Sequence, residues 1–258
     1  MKTTRQFIAG LKQVSTESRE VQRSEIHKWW VSLHPLYNFF EEEYMDKYQA
    51  IWDARYAKVL RGGRILRGEP WIEDWLHLVP RTEHRRALDL GCGSGHNTRL
   101  LLEHGFQVTA IDISEQALEL CRRGALNARV EWADIREGLP FAGDHFEFIL
   151  ADLSLHYFPL DMTAAIVKDI ANRLVPGGLF AGRFNSTGDA KYGTGEPVRG
   201  EPDLLIVNGI EKRFFTRECF SKLFGPPWTM AALAEKTVCR LGFRKVIWEL
   251  VALTSFTD

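Results

Sequence analysis

The segment ALDLGCGSGHNT fills residues 87–98. Its first residues, with Arg86 ahead of them, make a short apolar run of strand type that reaches Asp89 and Leu90. Gly91, Gly93 and Gly95 then turn the chain, and a helical run follows from about Asn97 to His104. Glycine lets the backbone bend sharply and lets a ligand approach with no Cβ in the way. A strand, a glycine-rich turn and a helix follow the logic of dinucleotide-binding folds. The spacing here is G-x-G-x-G, tighter than G-x-G-x-x-G, and Asp89 stands on the strand ahead of the turn. A carboxylate at that place repels a diphosphate and suits a cation or an amino group.

Downstream of this segment the chain alternates. Gln107–Ile111 reads as a strand, and SEQALELCRRGAL as a helix capped by Ser114 with Glu115 in its first turn. Ala128–Ala133 and Phe146–Ala151 read as strands, the second an unbroken apolar run that points to burial on both faces. Asp161–Leu174 reads as a helix closed by Pro176-Gly177-Gly178, and Leu179–Phe184 as the next strand. Strands alternating with helices predict a parallel sheet with helices on both faces. Residues 185–202, rich in Gly and Pro, are expected to form a long loop. Asp203–Val207 and Ile210–Phe215 flank Asn208-Gly209 as a hairpin, Thr216 can cap a helix to about Phe224, and Thr229–Lys236 with Phe243–Leu253 reads as an antiparallel hairpin.

Upstream, the pattern is helical. Residues 3–28 are polar with sparse apolar positions, His34-Pro35 is a break, and Leu36–Leu60 reads as one long helix ended by Gly62-Gly63. Pro70 opens another helix, WIEDWLHLV, which stops at Pro80. The expected organisation is a helical cap or lid over residues 1–84 and an α/β domain over 85–258, with a loop-and-hairpin insertion near 185–215.

Composition excludes several classes. With 258 residues, 45% hydrophobic and 26% charged, the chain can bury a sizeable core and is neither disordered nor collagen-like. Lys plus Arg is 33 and Asp plus Glu 34, a net charge of -1, which leaves no electrostatic footprint for nucleic acid. No apolar run is long enough to span a membrane, and the N-terminus has no secretory h-region. Cys92, Cys121, Cys219 and Cys239 are scattered, with neither zinc spacing nor a disulfide framework, so a reduced cytoplasmic setting is expected. The histidines form no i, i+4 pair, and no metal is expected.

Two further acidic residues extend the first motif. Asp112 ends the strand VTAID, where a carboxylate can accept both hydroxyls of a ribose. Asp134 ends VEWADI, where a carboxylate can accept from an exocyclic amine while Ile135 offers its backbone N–H to a ring nitrogen. DLGCGSG, AID, WADI, FEFILADLSLHYF and LVPGGLF, in order over about residues 85–184, resemble the class I S-adenosylmethionine-dependent methyltransferases of small-molecule type. The resemblance implies a Rossmann-like, doubly wound, seven-stranded sheet, mostly parallel with an antiparallel last strand. It implies S-adenosylmethionine as cofactor, with Asp89, Gly91, Cys92, Gly93 and Gly95 around its methionine part. Asp112 would meet the ribose, with Ile113 next to it also at the cofactor, Asp134 and Ile135 would meet the adenine, and Ala151 and Asp152 the methionyl side near the sulfonium. The implied reaction is methyl transfer to a nitrogen, sulfur or oxygen atom of a small molecule. The strand end at Asp152 carries no N-P-P-Y or D-P-P-Y, which speaks against an exocyclic base nitrogen of DNA.

The catalytic candidates are His156 and Tyr157. Imidazole titrates near neutral pH and can take a proton from an acceptor, or His156 can simply pack at a helix start. Phe40, Tyr44, Tyr48, Trp52 and Tyr56 recur in steps of four on the long helix. This aromatic stripe can be core, a lid over the substrate or the surface of a homodimer. Tyr44, Tyr48 and Trp52, with Asn185 and Tyr192 from the loop, are the substrate-binding candidates. Two rival readings stay open: attack on the aminobutyryl carbon of the same cofactor, releasing methylthioadenosine, and a non-catalytic binding protein.

Overall fold

The computed structural model of the chain describes residues 38–62, 69–141, 143, 145–240 and 243–255. The expected helix over 3–28 and the break at His34-Pro35 lie outside them. The chain divides into two compact units, residues 1–48 and 49–258. Helix α1 spans Asn38–Gly62.

The apolar segments pair into one sheet. Its strands are β1 (Arg86–Leu90), β2 (Gln107–Asp112), β3 (Arg129–Trp132), β4 (Phe146–Asp152) and β5 (Leu174–Asn185), then β9 (Trp228–Arg240) and β10 (Phe243–Thr254). The order is β3-β2-β1-β4-β5-β10-β9. The pairs among β1 to β5 are parallel, and β10 runs antiparallel to both β5 and β9. This is the doubly wound sheet the sequence predicts. From β1 the chain winds outward to β3 and then crosses back to β4, so its direction reverses between β1 and β4. Ligands of such sheets bind outside the carboxyl ends of the strands at that reversal.

Two-residue alternation sorts the core onto the two faces of the sheet. Leu88, Leu90, Ile149 and Ala151 face Ile166, Val167 and Ile170 of α4 (Leu160–Arg173) and Phe220 of α5 (Arg217–Leu223). Ala87, Phe148 and Leu150 face the other way, onto Leu101 of α2 (His96–Glu103) and onto Trp71 and Ile72. All seven residues of β4 are buried, as a strand covered on both faces requires. Each such Leu, Ile or Phe contributes about 1.5–3 kcal/mol by leaving water. Helix α3 (Glu115–Gly124) begins as expected, with the Ser114 hydroxyl accepting the Ala117 N–H at 3.2 Å. Behind the β5 end, Phe184 meets Phe215 and Phe220 edge to face at 5.1 and 5.2 Å between ring centroids. These contacts tie α5 and the segment ahead of it to the sheet.

Three elements differ from their expectation. WIEDWLHLV holds a 3-10 turn, Glu73–Leu78, in place of an α-helix. Pro70 and Pro80 bracket a stretch too short for a stable helix, and burial of Trp71, Ile72 and Val79 fixes it instead. Strand β5 begins at Leu174, so Pro176-Gly177-Gly178 lies inside it as a bulge, between the pairs Phe146↔Leu174 and Phe148↔Leu179. The predicted loop 185–202 is partly sheet: β6 (Glu196–Val198), β7 (Glu201–Val207) and β8 (Ile210–Arg213) form a separate antiparallel sheet. No described helix is long and apolar enough to cross a membrane.

Candidate functional site

The glycine turn after β1 is built around two carboxylates. Gly91, Gly93 and Gly95 all hold left-handed backbone, at φ +69°, +55° and +76°. A Cβ on Gly91 would strike Ser154, and one on Gly93 would strike the Tyr56 hydroxyl. The N–H groups of Gly91 and Cys92 bond the Ile111 carbonyl at 2.8 and 2.9 Å, which docks the turn onto the end of β2. Asp112 then closes it: one oxygen accepts the Gly93 N–H and the other the Ser114 N–H, both at 2.9 Å. A carboxylate has about four lone-pair sites; the Ser114, Gly93 and Ile113 N–H groups all bond Asp112, which leaves about one site for a ligand. Burial pushes Asp112 from an ordinary 3.8 up to about 6 against those hydrogen bonds.

Asp89 lies beneath the turn, fully buried, and accepts the Thr98 hydroxyl at 2.7 Å. Burial lifts it to about 6, with Asp152 and Asp112 adding like-charge repulsion and Thr98 and His96 opposing. Asp152, at the end of β4, accepts from His96 Nε2 at 3.3 Å and from the Asn97 amide at 3.2 Å. Ala151 beside it is wholly buried. Leu153 follows in left-handed backbone at φ +59°, uncommon for a residue other than glycine. Cys92 is buried within the turn; its hydrogen bond with Cys121, and then burial, hold its thiol well above the usual range.

At the β3 end, Asp134 accepts the Arg136 backbone N–H at 3.0 Å and pairs with the Arg136 guanidinium at 2.9 Å. Ile135 opens a short 3-10 turn and packs partly into the core. The Ile113 carbonyl accepts the Trp132 indole N–H at 2.8 Å. The sequence-predicted positions on β1, β2 and β4 are thus gathered around one turn, with Asp134–Ile135 one strand outward.

The second half of α1 covers this turn. Asp53 accepts the Ser114 hydroxyl at 2.6 Å and the Gln116 N–H at 3.2 Å, and Tyr56 lies on Gly93. Trp52 meets Tyr157 edge-on at 5.3 Å, and Tyr157 lies 4.1 Å from the His156 ring. His156 is buried, and its carbonyl accepts the Arg213 N–H of β8 at 2.8 Å. Asn185, also buried, donates to the Arg213 carbonyl at 3.3 Å. Tyr192 sits farther along, its hydroxyl on Asp203 at 2.9 Å and its ring on Phe214. Tyr48 belongs to the first compact unit, and the side chain of Tyr44 lies outside the described residues.

Three buried polar atoms around the crevice, Asn97 Oδ1, Ser154 Oγ and Asn185 Oδ1, have no hydrogen-bond partner among the described residues. Such atoms are rare in folded proteins, and bound water or a ligand completes their bonding. Asn97 and Ser154 escaped the sequence reading, although each lies within two residues of a candidate, at Gly95 and Asp152. No cluster of metal-ligating side chains occurs among the described residues. The donor set is acidic, with about one lone-pair site free on Asp112, and its Gly-lined turn has no room for a Cβ. It therefore fits a ligand bearing hydroxyls and positive charge, as S-adenosylmethionine does.

Known proteins match this geometry. The family model described as a methyltransferase domain matches residues 87–178. The malonyl-[acyl-carrier protein] O-methyltransferase of Enterobacter lignolyticus is 33% identical over 103 residues, 40% of each chain. The trans-aconitate 2-methyltransferase of Delftia acidovorans is 34% identical over 106 residues, 40% of this chain and 39% of its own. The chain thus spans about two fifths of the length of these curated relatives. A solved S-adenosylmethionine-dependent methyltransferase of Methanosarcina mazei superposes with a TM-score of 0.64 at 20% identity, over 74% of this chain and 100% of its own. Residues 87–178 thus match a methyltransferase-domain model, and the sheet has the Rossmann-like fold seen in solved S-adenosylmethionine-dependent methyltransferases.

Proposed function

We propose that the protein transfers a methyl group from S-adenosylmethionine to a nucleophilic atom of a small molecule. The observation that carries this reading is the Asp112 carboxylate, which pins the glycine turn at the carboxyl end of β2, beside the reversal of the sheet. Bound there, the cofactor supplies a methyl carbon already activated by its sulfonium. The protein's contribution is binding, alignment and exclusion of water. Asp112 would accept from the ribose hydroxyls, the β3 end with Asp134 and Ile135 would meet the adenine, and the turn with Asp89, Cys92 and Asp152 would hold the methionyl part. Packing of Trp52, Asp53 and Tyr56 onto the turn and onto Ser114 and Tyr157 supports a lid role for the second half of α1. The domain division that follows is a helical cap over residues 1–84 and a cofactor-binding domain over 85–258.

The acceptor lies on the β4–β5 side, against Trp52, His156, Tyr157 and Asn185. An acceptor that must lose a proton has His156 as its base; a carboxylate, amine or thioether needs none. Two relatives carry names that specify an O-methyltransferase of a malonyl carrier and a methyltransferase of trans-aconitate, which favours oxygen among the acceptor atoms.

The test is mass spectrometry of the purified protein incubated with S-adenosylmethionine, with and without a small-molecule cell extract. The expected result is S-adenosylhomocysteine formed only with extract, together with a product heavier by one methyl group. Methylthioadenosine formed in its place would overturn methyl transfer in favour of attack on the aminobutyryl carbon.

A further inference from the structure

Three cations gather beside the crevice and outnumber the one carboxylate, Asp189, that acts with them on Lys212. Lys212 stands on β8, one residue before Arg213, whose N–H holds the His156 carbonyl. Lys212 is half-buried, and the charged groups that act on it are Lys191 from the turn after β5, Arg55 from α1, and Asp189. Arg55 lies over the Trp52 ring, 4.8 Å from its centroid, and Trp52 meets Tyr157. Positive groups from three distant segments therefore act on one another, and one of them, Arg55, lies on the wall formed by Trp52, His156 and Tyr157.

The nearby acidic groups are committed elsewhere. Asp189 accepts the Lys191 N–H with one oxygen at 2.9 Å and the Val246 N–H with the other at 2.7 Å. Glu201 is paired with Arg213, and Asp203 accepts the Tyr192 hydroxyl. Neither Arg55, Lys191 nor Lys212 makes an ion pair with a described residue. Burial, and then the two other cations, push the Lys212 amine from 10.5 down to about 8, which leaves it mostly protonated at neutral pH. Like charges held together in a partly buried place repel, and an entering anion relieves that repulsion.

The geometry points to an acceptor that carries an oxyanion, a carboxylate first of all, docked by Lys212, Arg55 and Lys191 beside the Trp52–Tyr157 wall. The inference rests on the methyl-transfer reading for the ligand's role as acceptor; the anion site itself does not. The charge contrast orients the reactants: the cationic cofactor goes to the acidic turn and the anionic acceptor to the basic mouth.

The test uses the full chain saturated with S-adenosylhomocysteine and titrated by calorimetry at low salt, with citrate in one arm and inorganic phosphate in the other. Binding of either probe is expected to weaken about tenfold in Lys212→Met and to return in Lys212→Arg, the loss of one charge-assisted hydrogen bond. The stronger arm tells carboxylate from phosphate. Affinity for S-adenosylhomocysteine is expected to stay within about twofold in both variants, since these side chains face the acceptor. Failure of both probes to bind, equal binding in wild type and Lys212→Met, or a parallel tenfold loss of S-adenosylhomocysteine would overturn the site, the last by giving the cations to the cofactor's own carboxylate. A turnover arm splits the cell extract on anion-exchange resin and supplies methyl-labelled S-adenosylmethionine. Label in the retained fraction supports an anionic acceptor, and label confined to the unretained fraction overturns it. Probe binding with no label in either fraction would sink methyl transfer and leave the anion site standing.

Discussion

The two sides of the crevice carry opposite charge and are built in opposite ways. Around the glycine turn stand Asp89, Asp112 and Asp152, each at or near the end of its own strand. The other group is Arg55, Lys191 and Lys212, which come from a helix, a turn and a hairpin far apart in the chain. On the first side, position follows from strand length and sheet order alone. On the second, position depends on how α1 and the β6–β8 sheet pack over the strand ends. A single sheet can thus keep one cofactor site fixed by topology while the acceptor site is set by whatever is laid over it.

The largest expected effect separates the two sides directly. Asp112→Ala removes the carboxylate proposed to bond the ribose, at about 1.5–3 kcal/mol per charge-assisted hydrogen bond, together with the bonds that close the turn, and should weaken S-adenosylhomocysteine by about 100-fold. If Lys212→Met weakened the same ligand equally, the division into two sides would fail.

The next effect is a pH dependence of about tenfold. Asp89 and Asp112 are raised to about 6 in the folded protein. A raised carboxylate stabilises the free protein below its ordinary value near 4, and that contribution is lost as pH climbs through about 6. Ligand hydroxyls and positive charge favour the ionised form, so affinity should rise from pH 5 to pH 7 with release of protons, by about tenfold for one such group. Calorimetry in buffers of different ionisation heat measures both; a flat profile would remove ionised carboxylates from the account.

Gly93→Ala is a smaller, structural test. It forces φ +55° on a residue with a Cβ and drives that Cβ against Tyr56. The backbone strain should cost about 1–2 kcal/mol in denaturant unfolding. Adding Tyr56→Ala should recover the contact part and leave the backbone part. Tyr192→Phe marks the low end. Its hydroxyl bonds Asp203 at a partly exposed site. A change of under about 0.5 kcal/mol in stability is expected, with turnover unaltered; a large loss of turnover would move Tyr192 into the acceptor site.

The same contrast explains what could be read from the chain. Asp89, Asp112 and Asp152 were legible because a strand, its terminal carboxylate and the next turn are contiguous, and β1 to β5 follow two-residue alternation. The long β9–β10 hairpin was legible from its short link. The start of β5 was not, because Pro176-Gly177-Gly178 is the usual signature of a chain break and here forms a bulge within a strand. The β6–β8 sheet was half hidden, since Gly and Pro at 188–202 mask a short edge strand. Arg55 and Lys212 carry no local signal at all: isolated cations on a helix and a hairpin read as solvated charge until the fold brings them to one wall.

The central claim is that the turn after β1 takes S-adenosylmethionine and refuses a diphosphate. Titration of the wild-type chain with S-adenosylhomocysteine and, separately, with NAD tests it most directly. Saturable binding of S-adenosylhomocysteine at one site per chain is expected, and none of NAD, because Asp89 on the strand ahead of the turn repels its pyrophosphate. Binding of NAD without S-adenosylhomocysteine, or of neither, would contradict it.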